Sequence, residues 1–266
     1  MFFRRKSPVK AHWTRFYKKS LVELNEDIEE DYPWARWEAN SAPDDTASWE
    51  FTTAISILSG SENWELARRS LARSIQIIDR ITEENKLTAP GCDLRYPENS
   101  AICRRTKAYA QSLLGGSLDT DSLILGSREF ETYFNNHDYP RERNDQTCYR
   151  LINSIHLALI GNDLERATDL LGSPPAKSRY NKPHFDALKG LVKVASGSLT
   201  EQKRREAVER FESFFNRARD PRQKFRGNEH LPVTLGPLEL AIIRDRYIYH
   251  GGDQFDWKRI IAAYSE

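Results

Sequence analysis

The sequence predicts an all-α protein of about ten helices in antiparallel hairpins, arranged as a TPR-like or irregular α-solenoid or as a helical bundle. Three observations predict this. Apolar residues recur at spacings of three and four along most of the 266 residues. Several of these runs stop at a glycine, followed within a few residues by Ser, Asn or Asp and a second amphipathic run. That is the grammar of one helix end and the next N-cap. No segment sustains an alternation of two, and the single β-rich run, Leu231–Leu235, carries Pro232 inside it.

The clearest hairpin is Leu151–Leu171, where an apolar run ends at Gly161-Asn162-Asp163. Gly161 is expected to take the left-handed position after the first helix, and Asn162 or Asp163 to cap the second. The same pattern turns at Gly60, Gly115-Gly116, Gly197 and Gly251-Gly252. The steps from 60 to 115, 116 to 161, 161 to 197 and 197 to 251 are 55, 45, 36 and 54 residues, a degenerate repeat without a fixed period.

In chain order, Trp13, Phe16, Tyr17, Leu21, Leu24 and Ile28 mark a helix that Asp31-Tyr32-Pro33 ends, since the residue before proline resists the α region. Asp44 or Asp45 can cap a helix over Trp49–Leu58. Trp64–Ile81 is its long, strongly periodic partner, carrying Leu66, Leu71, Ile75 and Ile78. Residues 85–100 read as a loop, followed by helices over Ala101–Leu114 and Asp119–Asn135. The polar stretch His137–Asn144 is the candidate subdomain break within a single domain spanning 1–266. After the 151–171 hairpin, helices are expected from about Lys182 to Val194, over Glu201–Arg219, over Leu238–Tyr249 and over Phe255–Tyr264, with residues 222–237 loop-like.

Composition narrows the function classes. Hydrophobic residues make up 39% and charged residues 30%, and the net charge is +1, which gives no argument for a nucleic-acid or anionic-membrane partner. No apolar run approaches a membrane span, and Met1-Phe2-Phe3 followed by Arg4-Arg5-Lys6 lacks the apolar core of a signal peptide. Three cysteines, Cys92, Cys103 and Cys148, are odd in number and lack CxxC spacing, as expected for a reduced, cytoplasmic protein. Charge is uneven at the amino end: basic residues from Arg4 to Lys19 precede the acidic run Glu23–Asp31.

The residues that carry chemistry in other chains do not assemble here. There is no GxGxxG, Walker loop, HExxH or GxSxG. No catalytic, cofactor-binding or metal-ligating residue is therefore assigned. His137-Asp138 resembles the metal-binding pair of helical HD phosphohydrolases, but it sits two residues before Pro140 in an expected loop. His156 lies inside an apolar helix and is expected to be a hydrogen-bonded core residue. Arg244 to His250 resembles the HEPN ribonuclease signature, an arginine and a histidine separated by four to six residues. Arg5/His12, Arg150/His156 and Arg179/His184 meet the same spacing, so the pattern discriminates little. The acidic run Glu26, Asp27, Glu29, Glu30 and Asp31, beside Trp34 and Trp37, is the candidate partner-binding surface. Tryptophan dominates interface hot spots, and the acidic charge suits a basic partner.

The hairpins ILSGSENWELARRSL (57–71) and LALIGNDLERATDLL (157–171), with the carboxy-terminal LPVTLGPLELAIIRDRYIYHGGDQFDW (231–257), make the chain similar to helical-repeat immunity proteins of bacterial polymorphic-toxin and contact-dependent antagonism systems. The resemblance implies a cytoplasmic, non-enzymatic protein that binds one cognate toxin and occludes its active site; separately, the chain is expected to be a monomer or homodimer. It brings no catalytic residues to transfer. Other expectations are a TPR-like adaptor reading a peptide or protein, and a HEPN-like ribonuclease.

Overall fold

Four of the helices begin on a proline within their first turn, where a missing N–H costs nothing and φ is already helical. Pro43 opens α1 (Pro43–Ser61), Pro97 opens α3 (Pro97–Leu113), Pro183 is second in α7 (Lys182–Ala195) and Pro237 third in α9 (Leu235–Arg244). The remaining helices are α2 (Trp64–Glu84), α4 (Thr120–Asn135), α5 (Asn144–Ile160), α6 (Leu164–Gly172), α8 (Glu201–Ala218) and α10 (Trp257–Ser265). A π-helical segment, Asp245–His250, continues α9. This computed structural model describes residues 43–61, 63–84, 97–135, 144–172, 182–220, 235–250 and 255–265, and within these there is no strand.

The class is the one the sequence predicts, while several boundaries differ. Helix α3 begins four residues before Ala101, α5 seven before Leu151 and α9 three before Leu238. In α3 and α9 the cause is a proline that reads as a breaker and acts as a first-turn residue. The expected helix over residues 12–30 lies outside the described residues. Of the proposed break at 137–144, residues 137–143 lie outside them too, and α4 and α5 on either side pack against each other.

The capping grammar is largely as expected. Leu66 N–H donates to Asn63 Oδ1 (3.1 Å), Ser122 N–H to Asp119 Oδ1 (2.9 Å), Arg166 N–H to Asp163 Oδ1 (3.0 Å) and Arg259 N–H to Asp256 Oδ1 (3.2 Å). At three turns the left-handed residue closes paired backbone bonds onto the preceding helix: Gly115 (φ 100°), Gly197 (φ 66°) and Asn162 (φ 66°). The third corrects the expectation for Gly161, which sits one residue too early. Gly161 is tight for another reason: a Cβ there would lie 2.8 Å from Ile124 Cγ1 of α4 and 3.1 Å from the Leu157 carbonyl. Gly60 corrects likewise, being inside α1 and not beyond its end.

Packing goes beyond neighbouring hairpins. α1 pairs with α2, α3 with α4, α4 with α5, and α7 with α8, but α9 also crosses α5 and α10 returns to α1. A solenoid's repeats touch only their neighbours; here the carboxy-terminal helices close onto the first and middle ones. The result is three helical stretches buried on every face: 51–59 of α1, 151–160 of α5 and 237–243 of α9. In helix α1 the cost of enclosure is partly offset by hydroxyls that return to its own backbone, Ser56 Oγ–H to Thr52 O (2.8 Å) and Thr52 Oγ1–H to Trp49 O (3.0 Å), while the buried Ser48 and Ser59 hydroxyls find no partner among the described residues. Full burial also explains why α1 lacks the one-sided apolar stripe of α2.

Two glycine substitutions separate the two roles. Gly161→Ala should lower stability by about 1–3 kcal/mol through overpacking. Gly197→Ala, with open space around it, should lose about 1–2 kcal/mol through left-handed strain alone. In denaturant titrations, Ile124→Ala should show favourable coupling with Gly161→Ala and none with Gly197→Ala.

Candidate functional site

The charged residue in the apolar run LGPLELAII (235–243) organises the centre of the molecule. Glu239 of α9 has no exposed surface, and a buried carboxylate must find both counter-charge and hydrogen bonds. Helix α3 supplies Arg105 and Tyr109, four residues apart and therefore on one face. Arg105 Nη1 stands 3.5 Å from Glu239 Oε1, and the Tyr109 hydroxyl donates to the same oxygen at 3.3 Å. Helix α5 supplies Asn153 and His156, three residues apart. Arg105 Nη1–H donates to Asn153 Oδ1 (3.0 Å), and His156 Nδ1 meets Glu239 Oε2 at 2.8 Å. A carboxylate only accepts, so Nδ1 of His156 carries the hydrogen. On its other side, His156 Nε2 meets Nε2 of His184, from α7, at 2.9 Å.

The electrostatics follow from enclosure. Burial is the largest influence on Arg105 and opposes its charge, but Glu239, Tyr149 and Tyr109 together outweigh it and the guanidinium is held above its ordinary value. Burial, then the Glu239 charge, drives the Tyr109 hydroxyl well up, so it stays a donor. Burial, then His156, holds the His184 ring well below the usual histidine range, so it is neutral at pH 7. The Arg105 guanidinium is thus the cation that faces the Glu239 carboxyl in this centre, beside a neutral His184. Aromatic rings seal it: Phe51 and Trp257 flank Tyr109, Phe130 lies beneath Arg105, and Phe214 of α8 packs on His184 with centroids 4.5 Å apart.

A second polar cluster faces solvent where α8, α9 and the π-helical segment meet. Arg244 Nε–H donates to Glu212 Oε1 (2.7 Å), Arg244 Nη2–H to the Tyr249 hydroxyl (2.9 Å), and that hydroxyl to Glu212 Oε1 (3.2 Å). The Arg244 guanidinium also lies 4.5 Å from the Tyr249 ring centroid and 5.3 Å from that of Phe215. Tyr249 is 53% exposed yet held by these contacts. The Tyr249 hydroxyl is raised above its ordinary value, first by partial burial and then by Glu212. Helical widening places these groups. Beyond Arg244 the chain turns so that Asp245 pairs with Arg259 of α10, Arg246 Nη1–H donates to Ile160 O (2.7 Å) and the Tyr247 hydroxyl to Leu159 O (2.6 Å).

The sequence-derived candidates distribute as follows. Glu26, Asp27, Glu29, Glu30, Asp31, Trp34 and Trp37 lie outside the described residues, as do His12, His137, Asp138, Arg179 and His230. His156 is the hydrogen-bonded core residue expected of it. Arg150 pairs with Glu98 (3.0 Å) and not with His156, and Arg244 is engaged by Glu212 and Tyr249. The His250 side chain lies outside the described residues. Sequence reasoning missed Glu239, Arg105 and His184; the signal for the first was a carboxylate inside an apolar helix.

An open depression of about 650 Å³ between α2, α3 and α4 has Ile75, Leu114 and Leu118 on its walls. Its ionisable groups are Asp119 and Asp121, and Asp119 is occupied in capping α4. Among the described residues no group of three potential metal ligands converges, and no helix is long and apolar enough to cross a membrane. Comparison with known proteins finds no match to a family model, a curated protein or a solved structure.

Removing one member of the central ion pair should be costly. Glu239→Met or Arg105→Met alone should lower stability by about 3–5 kcal/mol, each leaving an uncompensated buried charge. The double variant should recover much of that loss, and a double-mutant cycle from urea midpoints measures the coupling.

Proposed function

We propose that this chain is a non-enzymatic protein-binding protein, most specifically an immunity protein that binds and neutralises a cognate toxin in the bacterial cytoplasm. The observation that carries the reading is the exposed Tyr249–Arg244–Glu212 cluster. Tyrosine and arginine are the residues most enriched in interface hot spots. Here they are immobilised by mutual hydrogen bonds and stacking before any partner arrives, so little side-chain entropy remains to be lost on docking. The buried titratable centre complements this: its groups are consumed by one another behind aromatic rings, while the groups offered to solvent are those of a contact surface. The acidic run Glu26–Asp31 with Trp34 and Trp37 is the sequence's own candidate for a second contact.

The test is co-expression with the toxin encoded beside this chain's gene. The wild-type chain should restore growth and form a stoichiometric complex in calorimetry. Tyr249→Ala should weaken that complex at least tenfold, about 1.4 kcal/mol, with an unchanged urea midpoint. Absence of both rescue and complex would overturn the reading, and full affinity in Tyr249→Ala would remove this surface from it.

A further inference from the structure

The contact between His156 and His184 has a geometry worth separating from the rest of the centre. The ring centroids are 5.0 Å apart and the two Nε2 atoms 2.9 Å apart. The difference is little less than the two ring radii together, so the imidazoles meet nearly head on along a single N–H···N line. A chelating pair would bend toward a common point and bring its centroids closer. One hydrogen occupies the line, and Nδ1 of His156 is committed to Glu239. The remaining basic atom of the pair is Nδ1 of His184, which has no hydrogen-bond partner among the described residues.

Among the described residues, a proton added there meets no counter-ion of its own. The one carboxylate of the centre, Glu239, is already matched by Arg105 and reached only through His156. Phe214 of α8 is the ring on His184, and His156 is the titratable group acting on it. From α6, Arg166 is turned to Ser127 and Glu131; from the π-helical segment, Asp245 is turned to Arg259 and Arg246 to the Ile160 carbonyl. None of these charges serves His184. The His184 residue keeps some surface, so an outward turn of its ring is the short route to hydration.

We propose that the His156–His184 contact is an acid-operated latch: uptake of one proton at Nδ1 of His184 turns that ring to solvent, breaks the N–H···N bond to α5 and loosens the α7–α8 hairpin. The direction of the pH dependence follows from enclosure. In the open form His184 titrates near its ordinary value of about 6.5. In the closed form burial, then His156, holds it well lower. The open form binds the proton first, so the latch is fully closed above about pH 6.5 and is lost progressively below it.

The experiment is hydrogen–deuterium exchange on the full chain at pH 7.5 and 5.0, corrected for the intrinsic pH dependence of exchange. Peptides from α7 and α8 should lose at least tenfold protection at pH 5.0 relative to peptides from α1 and α3. His184→Gln, which can still donate to His156 but takes no proton, should hold α7 and α8 equally protected at both pH values. Unchanged α7 protection in the wild type, or opening of His184→Gln at the same pH, overturns the latch. If His184→Gln does not fold, imidazole nitrogen shifts of the wild type decide. Protonation of His184 that coincides with loss of α7 protection supports the latch, and protonation with α7 still protected overturns it.

Discussion

A carboxylate with no exposed surface sets the terms for the rest of this molecule. Glu239 requires a positive partner and donors for its oxygens, and in meeting that need it draws Arg105 and Tyr109 from α3 and His156 from α5. Through His156 it also reaches His184 on α7. Apolar packing alone lets helices slide by a turn at modest cost, whereas a donor and an acceptor that must meet do not. The polar centre therefore fixes the mutual register of four helices that are distant in sequence. Its cost is that each member depends on the others, since any one left alone is an unsolvated charge or an unsatisfied donor.

The helix ends show the same economy of partners. Helices α2, α4, α6 and α10 each have an Asn or Asp whose side chain accepts from the backbone N–H three residues on. The carboxyl end of α5 is treated differently. Its last carbonyls, Leu159 and Ile160, accept from Tyr247 and Arg246 of the π-helical segment, so a cation sits at the negative end of a helix dipole. Ordinary α geometry places successive side chains at a fixed angular step. Widening the helix at Asp245 changes that step and lets three consecutive residues, Asp245, Arg246 and Tyr247, reach α10 and the end of α5.

Interior and surface divide their labour. Inside, Glu239 is met by Arg105, Tyr109 and His156 and walled by Phe51, Phe130, Phe214 and Trp257, so the centre holds helices together. Outside, the widened helix ends on Tyr249, whose ring is stacked on Arg244 and whose hydroxyl is tied to Glu212. The two clusters share no residue. A substitution in one therefore leaves the hydrogen bonds of the other in place.

What the sequence determined by itself was the local grammar. The spacing of apolar residues marked the helices, and Asn63, Asp119, Asp163 and Asp256 stood where caps were needed. His156 could be recognised as a core histidine because its neighbours on both sides are apolar. These features depend on residues within a turn or two of each other, where the chain's own geometry dictates who meets whom. Tertiary structure decided the rest. Gly161 is small for Ile124 of another helix, while the left-handed turn passes to Asn162. Pro97 and Pro237 stand in the first turns of helices where the sequence suggested loops. Glu239 has partners 83 and 130 residues away, which no local pattern can identify, because the choice of partner for a buried charge is made by whichever helices the whole core brings alongside.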